Sequence, residues 1–193
     1  MNGYEKRTQL KMSKIIDAAK QLFVTQGLEK TTITEIANKA NVAPATVYNY
    51  FETKEGLILA VAKTVIDTSL TEKKKLWNSE LPFDQLLEQA IVNQDLFLTP
   101  ENLVLLEIFL NESGDTNKFI QHVFEVEYPR LLEIFIQKGQ AEGFIKHDIS
   151  PKTLMLYLKM YQTILKDPDL VKTENKQILK ELYELLLYGL VGK

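Results

Sequence analysis

Residues 32–51 read TITEIANKANVAPATVYNYF, two short helical patterns held three residues apart, and this stretch leaves the chain little freedom. Thr32-Ile-Thr-Glu35 has the form of a capping box, in which a hydroxyl and a carboxylate satisfy the orphan amides of a helix start. Ile36, Ala37 and Ala40 follow at helical spacing. Asn41-Val42-Ala43 then interrupts, and asparagine tolerates the left-handed backbone that a tight interhelical turn needs. Pro44 opens the next helix, where its missing N–H costs nothing in the first turn.

The same spacing runs through the rest of the chain. Met12, Ile15, Ile16, Ala19, Leu22 and Phe23 recur at steps of three and four, with Gly27 where a left-handed C-terminal cap belongs. Thr53 caps a fourth helix that runs to about Trp77 and is expected to act as a rigid connector. Further breaks fall at 78–82, 98–102, 111–117, 142–151 and 166–175, and Pro129 is expected to kink or divide the helix over 116–141. With eight glycines, six prolines and no alternating β-branched runs in 193 residues, the chain reads as all-α. The expected division is a small helical domain over 1–58 and a larger helical domain over 59–193, with the connector from 53 to about 77.

Charge separates the two ends. Residues 1–66 carry nine Lys or Arg against six Asp or Glu, a surplus of three; the remainder carries 14 against 20, a deficit of six. A basic front on an acidic body suits an anionic partner at one end. The absence of cysteine excludes disulfides, thiolate metal sites and cysteine nucleophiles. The charged amino terminus lacks the apolar core of a signal peptide, no apolar run approaches a membrane span, and a cytoplasmic protein is expected.

On a helical wheel of residues 44–51, Val47 and Phe51 share one face. The opposite strip carries Ala45, Asn49 and Thr46, flanked by Tyr48 and Tyr50. A helix with a small, hydrogen-bonding strip edged by two phenols fits the major groove of DNA. Its flanking hydroxyls suit phosphates, and Asn49 and Thr46 suit base edges. The capped helix, the turn and this second helix therefore read as a helix-turn-helix. Packing of the two tyrosines on neighbouring helices is the plainer alternative.

Residues 15–58, IIDAAKQLFVTQGLEKTTITEIANKANVAPATVYNYFETKEGLI, resemble the amino-terminal domain of TetR-type transcriptional regulators. The resemblance rests on Ala18-Ala19, Leu22-Phe23, Gly27, Thr31-Thr32, Ile36-Ala37, Ala40, Val42 and the ending Tyr48-x-x-Phe51-x-x-Lys54-x-x-Leu57. It implies that Thr34, Ala45, Thr46, Tyr48, Asn49, Tyr50 and Lys54 fall where such proteins touch DNA; Thr32, at the helix start, is placed with them. The sequence departs from the pattern at Asn41, where the turn usually carries glycine. It also departs at Ala43, where a capping Ser or Thr is common, and at Ala45, where glycine is frequent. Loss of the hydroxyl at 43 shifts the expected phosphate contacts to Lys54 and to Lys6, Arg7, Lys11 and Lys14. A cation at Lys54, in a helix's first turn, opposes the dipole, and a phosphate partner would account for it.

The resemblance further implies a homodimer on palindromic DNA, paired through the last two helices, about 151–166 and 174–191. The surplus of apolar faces in both segments asks for the same partner. It also implies a small-molecule effector cavity among the middle helices. Phe97, Phe109, Phe124, Tyr128, Phe135, Tyr157 and Tyr161 are its candidate lining, and Glu107, the charge within LVLLEIFL, is a candidate for a cationic group. Aromatic residues at helical spacing are more often core than lining. The isolated His122 and His147 lack metal-ligand spacing, and neither a metal nor a cofactor is expected. No paired Glu-x-x-His motif, phosphate-cradling glycine loop or nucleophile elbow supports an enzyme. A DNA-binding repressor released by a small molecule is the expected function; the alternative keeps the DNA domain and makes the body a platform for protein partners.

Overall fold

A computed structural model describes residues 3–92 and 100–150, together with 152–154, 156–157, 177–178, 181–182 and 185. These residues form helices and turns with no β-strand among them. The helices are α1 (Gly3–Lys30), α2 (Ile33–Ala40), α3 (Pro44–Phe51), α4 (Lys54–Trp77), α5 (Phe83–Val92), α6 (Pro100–Leu110), α7 (Asp115–His122) and α8 (Tyr128–Ala141). The all-α expectation holds, and the chain divides into two compact units. One comprises Met1–Glu72 and Gln94–Phe124, the other Lys73–Asn93 and Glu125–Lys193.

The first unit has one apolar core. Ile15, Ala19 and Phe23 of α1, Ile36 and Ala37 of α2, Val47 of α3, and Leu57, Val61 and Ala62 of α4 are almost fully buried in it. Leu105 and Phe109 of α6 and Ile120 of α7 belong to the same cluster, and α6 packs on α1. The segment 1–58 thus shares its core with helices much later in the chain.

Helix α1 is longer than the apolar spacing predicts, reaching back to Gly3. The backbone at Gly27 turns positive, φ 81°, as expected, but with ψ 167° it is extended rather than left-handed helical. Gly27 therefore breaks α1, and a further turn runs to Lys30. Helix α4 runs unbroken from Lys54 to Trp77, and Thr53 Oγ1 accepts the Gly56 N–H at 3.0 Å, the predicted cap.

In the second unit Trp77, Phe83, Phe135 and Phe144 form a chain of tilted ring contacts, with centroids 4.8 to 5.5 Å apart. Gly139 is buried against it; a Cβ there would lie 2.6 Å from Phe83 Cζ and 2.7 Å from Ile145 Cδ1. Glu142 Oε2 accepts the Phe83 N–H at 2.7 Å, and Lys138 Nζ donates to the Ser79 carbonyl at 2.6 Å. The division expected at Pro129 is present. A π-helical turn, Val123–Glu127, precedes α8, with Pro129 in the first turn of that helix. Proline offers no N–H to the Glu125 carbonyl and crowds it, so the regular ladder gives way just upstream.

Candidate nucleic-acid interface

The interface is built on α2, the turn and α3. Thr32 accepts the Glu35 N–H at 3.2 Å, and Glu35 Oε2 accepts both the Thr32 N–H and the Thr32 hydroxyl at 2.8 Å. The capping box therefore forms as predicted. Hydrogen bonds from the Thr32 backbone and hydroxyl hold the Glu35 carboxyl below its usual range. The Thr32 hydroxyl hydrogen is thus committed inside the protein, and a phosphate gains it only by opening the box.

Asn41 adopts the left-handed conformation, φ 56° and ψ 50°, and the Val42 N–H closes back on the Ala37 carbonyl at 2.9 Å. Ala43 precedes α3 without a side-chain cap, the gap that its missing hydroxyl implies. On α3, Val47 and Phe51 point into the core, while Ala45, Tyr48 and Asn49 are exposed and Thr46 is half-buried. Thr34 of α2 is exposed as well. The small, hydrogen-bonding strip predicted from the wheel is therefore present on the outside of α3.

The two tyrosines divide. Tyr48 is 51% exposed. Tyr50 is half-buried and packs on the core, its ring 6.4 Å from that of Phe51 at 74°. The flank that Tyr50 was expected to offer DNA is thus partly spent on packing against the core. Tyr50 also lines an open cleft of about 290 Å³ with Met12, Phe51, Glu52, Gly56, Leu59, Ala60 and Lys63.

The end of α3 is tightly made. Glu52 has φ 63° and ψ −49°, and the Thr53 N–H reaches the Phe51 carbonyl at 2.7 Å, a γ-turn of the rare positive-φ form. Gly56 then passes so close to the Phe51 carbonyl that a Cβ has no room.

Lys54 departs from the sequence argument. Its ammonium donates to the Leu28 carbonyl at 2.6 Å and is half-buried, so it has an acceptor within the protein. Arg7, Lys11 and Lys14, brought onto the helix by the extension of α1, fall at i, i+4 and i+7 and are exposed, as is Lys6. Sequence reasoning missed a second polar cluster here. Gln26 Nε2 donates to Thr31 Oγ1 at 3.3 Å and to Glu35 Oε2 at 3.4 Å, and the buried Thr31 hydroxyl donates to the Gly27 carbonyl at 2.6 Å. Its one sequence signal is the Thr31-Thr32 pair after Gly27.

The candidate effector residues that are described fall in both units. Phe109 is core of the first unit and Phe124, in the same unit, is 42% exposed. Tyr128, Phe135 and Tyr157 belong to the second unit; Phe135 lies in the aromatic cluster and Tyr157 is half-buried. Burial pushes the Tyr128 phenol up. Phe97, the Glu107 side chain and Tyr161 lie outside the described residues. None of the described candidates lines the cleft beside Tyr50. Unforeseen in sequence is Lys73, whose ammonium sits 5.6 Å from the ring centre of Trp77 and whose pKa burial lowers to about 8. The clue was a Lys four residues before the chain's one tryptophan. Among the described residues no group of acids and histidines is arranged to hold a metal ion, and no helix is long and apolar enough to cross a membrane.

A capped helix, a left-handed turn and a second helix with an outward polar strip define a helix-turn-helix DNA-binding protein. Residues 15–61 match the family described as "Bacterial regulatory proteins, tetR family". The fatty acid metabolism regulator protein of Bacillus subtilis is 34% identical over 198 residues, spanning 97% of this chain and all of that protein. An uncharacterised helix-turn-helix regulator, YvdT, of the same organism is 33% identical over 147 residues, 76% of each chain. The chain belongs to the TetR family of bacterial transcriptional regulators, which are not enzymes. Among solved structures, the fatty acid degradation regulator FadR of Bacillus halodurans superposes with a TM-score of 0.73 over 92% of this chain and 98% of that one, at 20% identity. FadR of Bacillus subtilis in complex with stearoyl-CoA gives 0.66 over the same shares, also at 20% identity. At that identity these likenesses concern the fold.

Proposed function

We propose that the protein is a repressor that binds palindromic DNA as a homodimer and is released by a long-chain acyl-coenzyme A thioester. The observation that carries the effector class is the 34% identity to a fatty acid metabolism regulator, which extends over 97% of the chain and so through the regulatory half. The stearoyl-CoA bound to a protein of the same fold supports the same ligand class. Thr34, Ala45, Thr46, Tyr48 and Asn49 face the DNA in this reading, Tyr50 contributes with its exposed edge, and Arg7, Lys11 and Lys14 meet phosphates. No Lys or Arg lies on the outer strip of α3, so the usual bidentate guanine contact is absent there.

The test is to select bound duplexes from a random pool and then titrate the complex with acyl-CoA thioesters of increasing chain length and with free coenzyme A. Release by long-chain thioesters, and not by coenzyme A alone, is expected. A selected duplex that no thioester releases points instead to a body that serves protein partners, and enrichment of no sequence overturns the regulator reading altogether. Within the interface, Asn49→Ala is expected to relax sequence preference by about 1–3 kcal/mol at one base pair with the salt dependence unchanged. Equal loss on selected and random duplexes would exclude base reading by Asn49.

A further inference from the structure

We infer that the indole N–H of Trp77 is the hydrogen-bond donor that holds the effector's acyl oxygen, with the Lys73 ammonium supplying positive charge beside it. The inference rests on the effector class proposed above and names the polar anchor within it. Both residues lie in the second unit, at the end of α4. Trp77 is 5% exposed, and its Nε1 has no hydrogen-bond partner. An N–H taken out of water without an acceptor costs free energy, and a ligand oxygen returns it on binding. The Ser79 hydroxyl, two residues on, is buried in the same condition. Two of the three such side-chain atoms among the described residues thus fall where α4 ends.

Packing does not ask for an indole here. Trp77 meets Phe135 with 5.0 Å between ring centres, and Phe83 and Phe144 continue the cluster with phenyl rings. A phenylalanine at 77 would extend the same contacts; the indole adds bulk and one N–H. Beside it the Lys73 ammonium stands 5.6 Å from the ring centre, where burial lowers its pKa to about 8. A buried cation gains from any negative charge that enters its surroundings. Donor and cation together therefore suit one kind of group, an oxygen that accepts a hydrogen bond and bears partial or full negative charge. On a long alkyl chain that group is the carbonyl of a thioester or a free carboxylate.

The experiment uses the full-length, isotope-labelled protein, in which Trp77, the chain's one tryptophan, gives a single indole N–H resonance. It is titrated with palmitoyl-CoA, with palmitate and with S-hexadecyl-CoA, a thioether that keeps the chain and the coenzyme but lacks the acyl oxygen. Palmitoyl-CoA is expected to move the indole resonance downfield, and the thioether to bind about 10- to 100-fold more weakly by calorimetry. Trp77→Phe is expected to erase that difference, and Lys73→Met to weaken palmitate more than palmitoyl-CoA. The resonance is read in the unaltered chain, so that result stands even where Trp77→Phe does not fold. Equal binding of thioester and thioether by the wild type overturns the anchor and leaves the effector class standing. Palmitate that binds and shifts the indole, with both coenzyme A derivatives ignored, keeps the anchor and overturns the thioester reading. An indole resonance that stays in place at saturation with every ligand that binds, or a preference for the acyl oxygen that survives in Trp77→Phe, overturns the anchor. Equal loss of palmitate and palmitoyl-CoA in Lys73→Met overturns the part given to Lys73, and binding of none of the three ligands overturns both proposals.

Discussion

Asn41 and Glu52 are the non-glycine residues with positive φ among those described, and they differ in kind. Asparagine accepts the left-handed region at little cost, whereas glutamate at φ 63° and ψ −49° is strained. Glu52→Gly relieves that strain but adds freedom to the unfolded chain, for a net gain of roughly 1 kcal/mol. Thermal unfolding is expected to show a rise of about 2–4 °C; a fall would mean that the glutamate side chain contributes more than its backbone costs. Glu35 gives a pH signature. Its folded pKa lies below the ordinary 4.5, so the unfolded chain binds the proton first as pH falls. The capping contribution is therefore complete above about pH 4.5 and is lost as pH falls through the lowered folded value. In melting curves from pH 7 to 3, the gap between wild type and Glu35→Ala is expected to close across that acid window. A gap that persists at the acid end would mean that the Glu35 side chain stabilises the helix independently of its charge.

Among the elements, α3 starts without a side-chain cap, since Ala43 leaves its first amides without a side-chain acceptor. Ala43→Ser is expected to add about 1 kcal/mol, seen as a higher urea midpoint with an unchanged slope; no shift would mean that solvent already caps α3 equally well. Local sequence chemistry made much at this scale legible. The Thr32 box, the Asn41 turn, Pro44, the Thr53 cap and the Pro129 disruption each depend on residues within a few positions of one another. It failed where the controlling partner was distant. Lys54 looked unpartnered because Leu28 lies 26 positions away. Tyr50 looked like a free flank because Met12 and Leu59, which line the same cleft, come from other helices.

At the scale of the molecule, Leu156, Ile178 and Leu185 are 57%, 44% and 66% exposed, within the two segments expected to pair in a dimer. Exposed leucine and isoleucine in those segments suit a partner copy. Leu156→Glu with Leu185→Glu is expected to give monomers in sedimentation equilibrium. It is also expected to cost about 100-fold or more in affinity for a palindromic duplex, since each half-site then binds alone. A variant that stays dimeric would move the interface elsewhere.

By itself the sequence determined the helical class, the capped helix-turn-helix and the inward and outward faces of α3. Periodicity, capping and proline chemistry act over one or two turns and need no distant partner. Only the tertiary structure decided that α6 and α7 share the core of the DNA-binding segment, that Phe109 is spent in that core, and that the Lys54 cation answers a carbonyl at the end of α1. Those outcomes depend on which surfaces meet after the chain folds back, and spacing along a chain carries no measure of that.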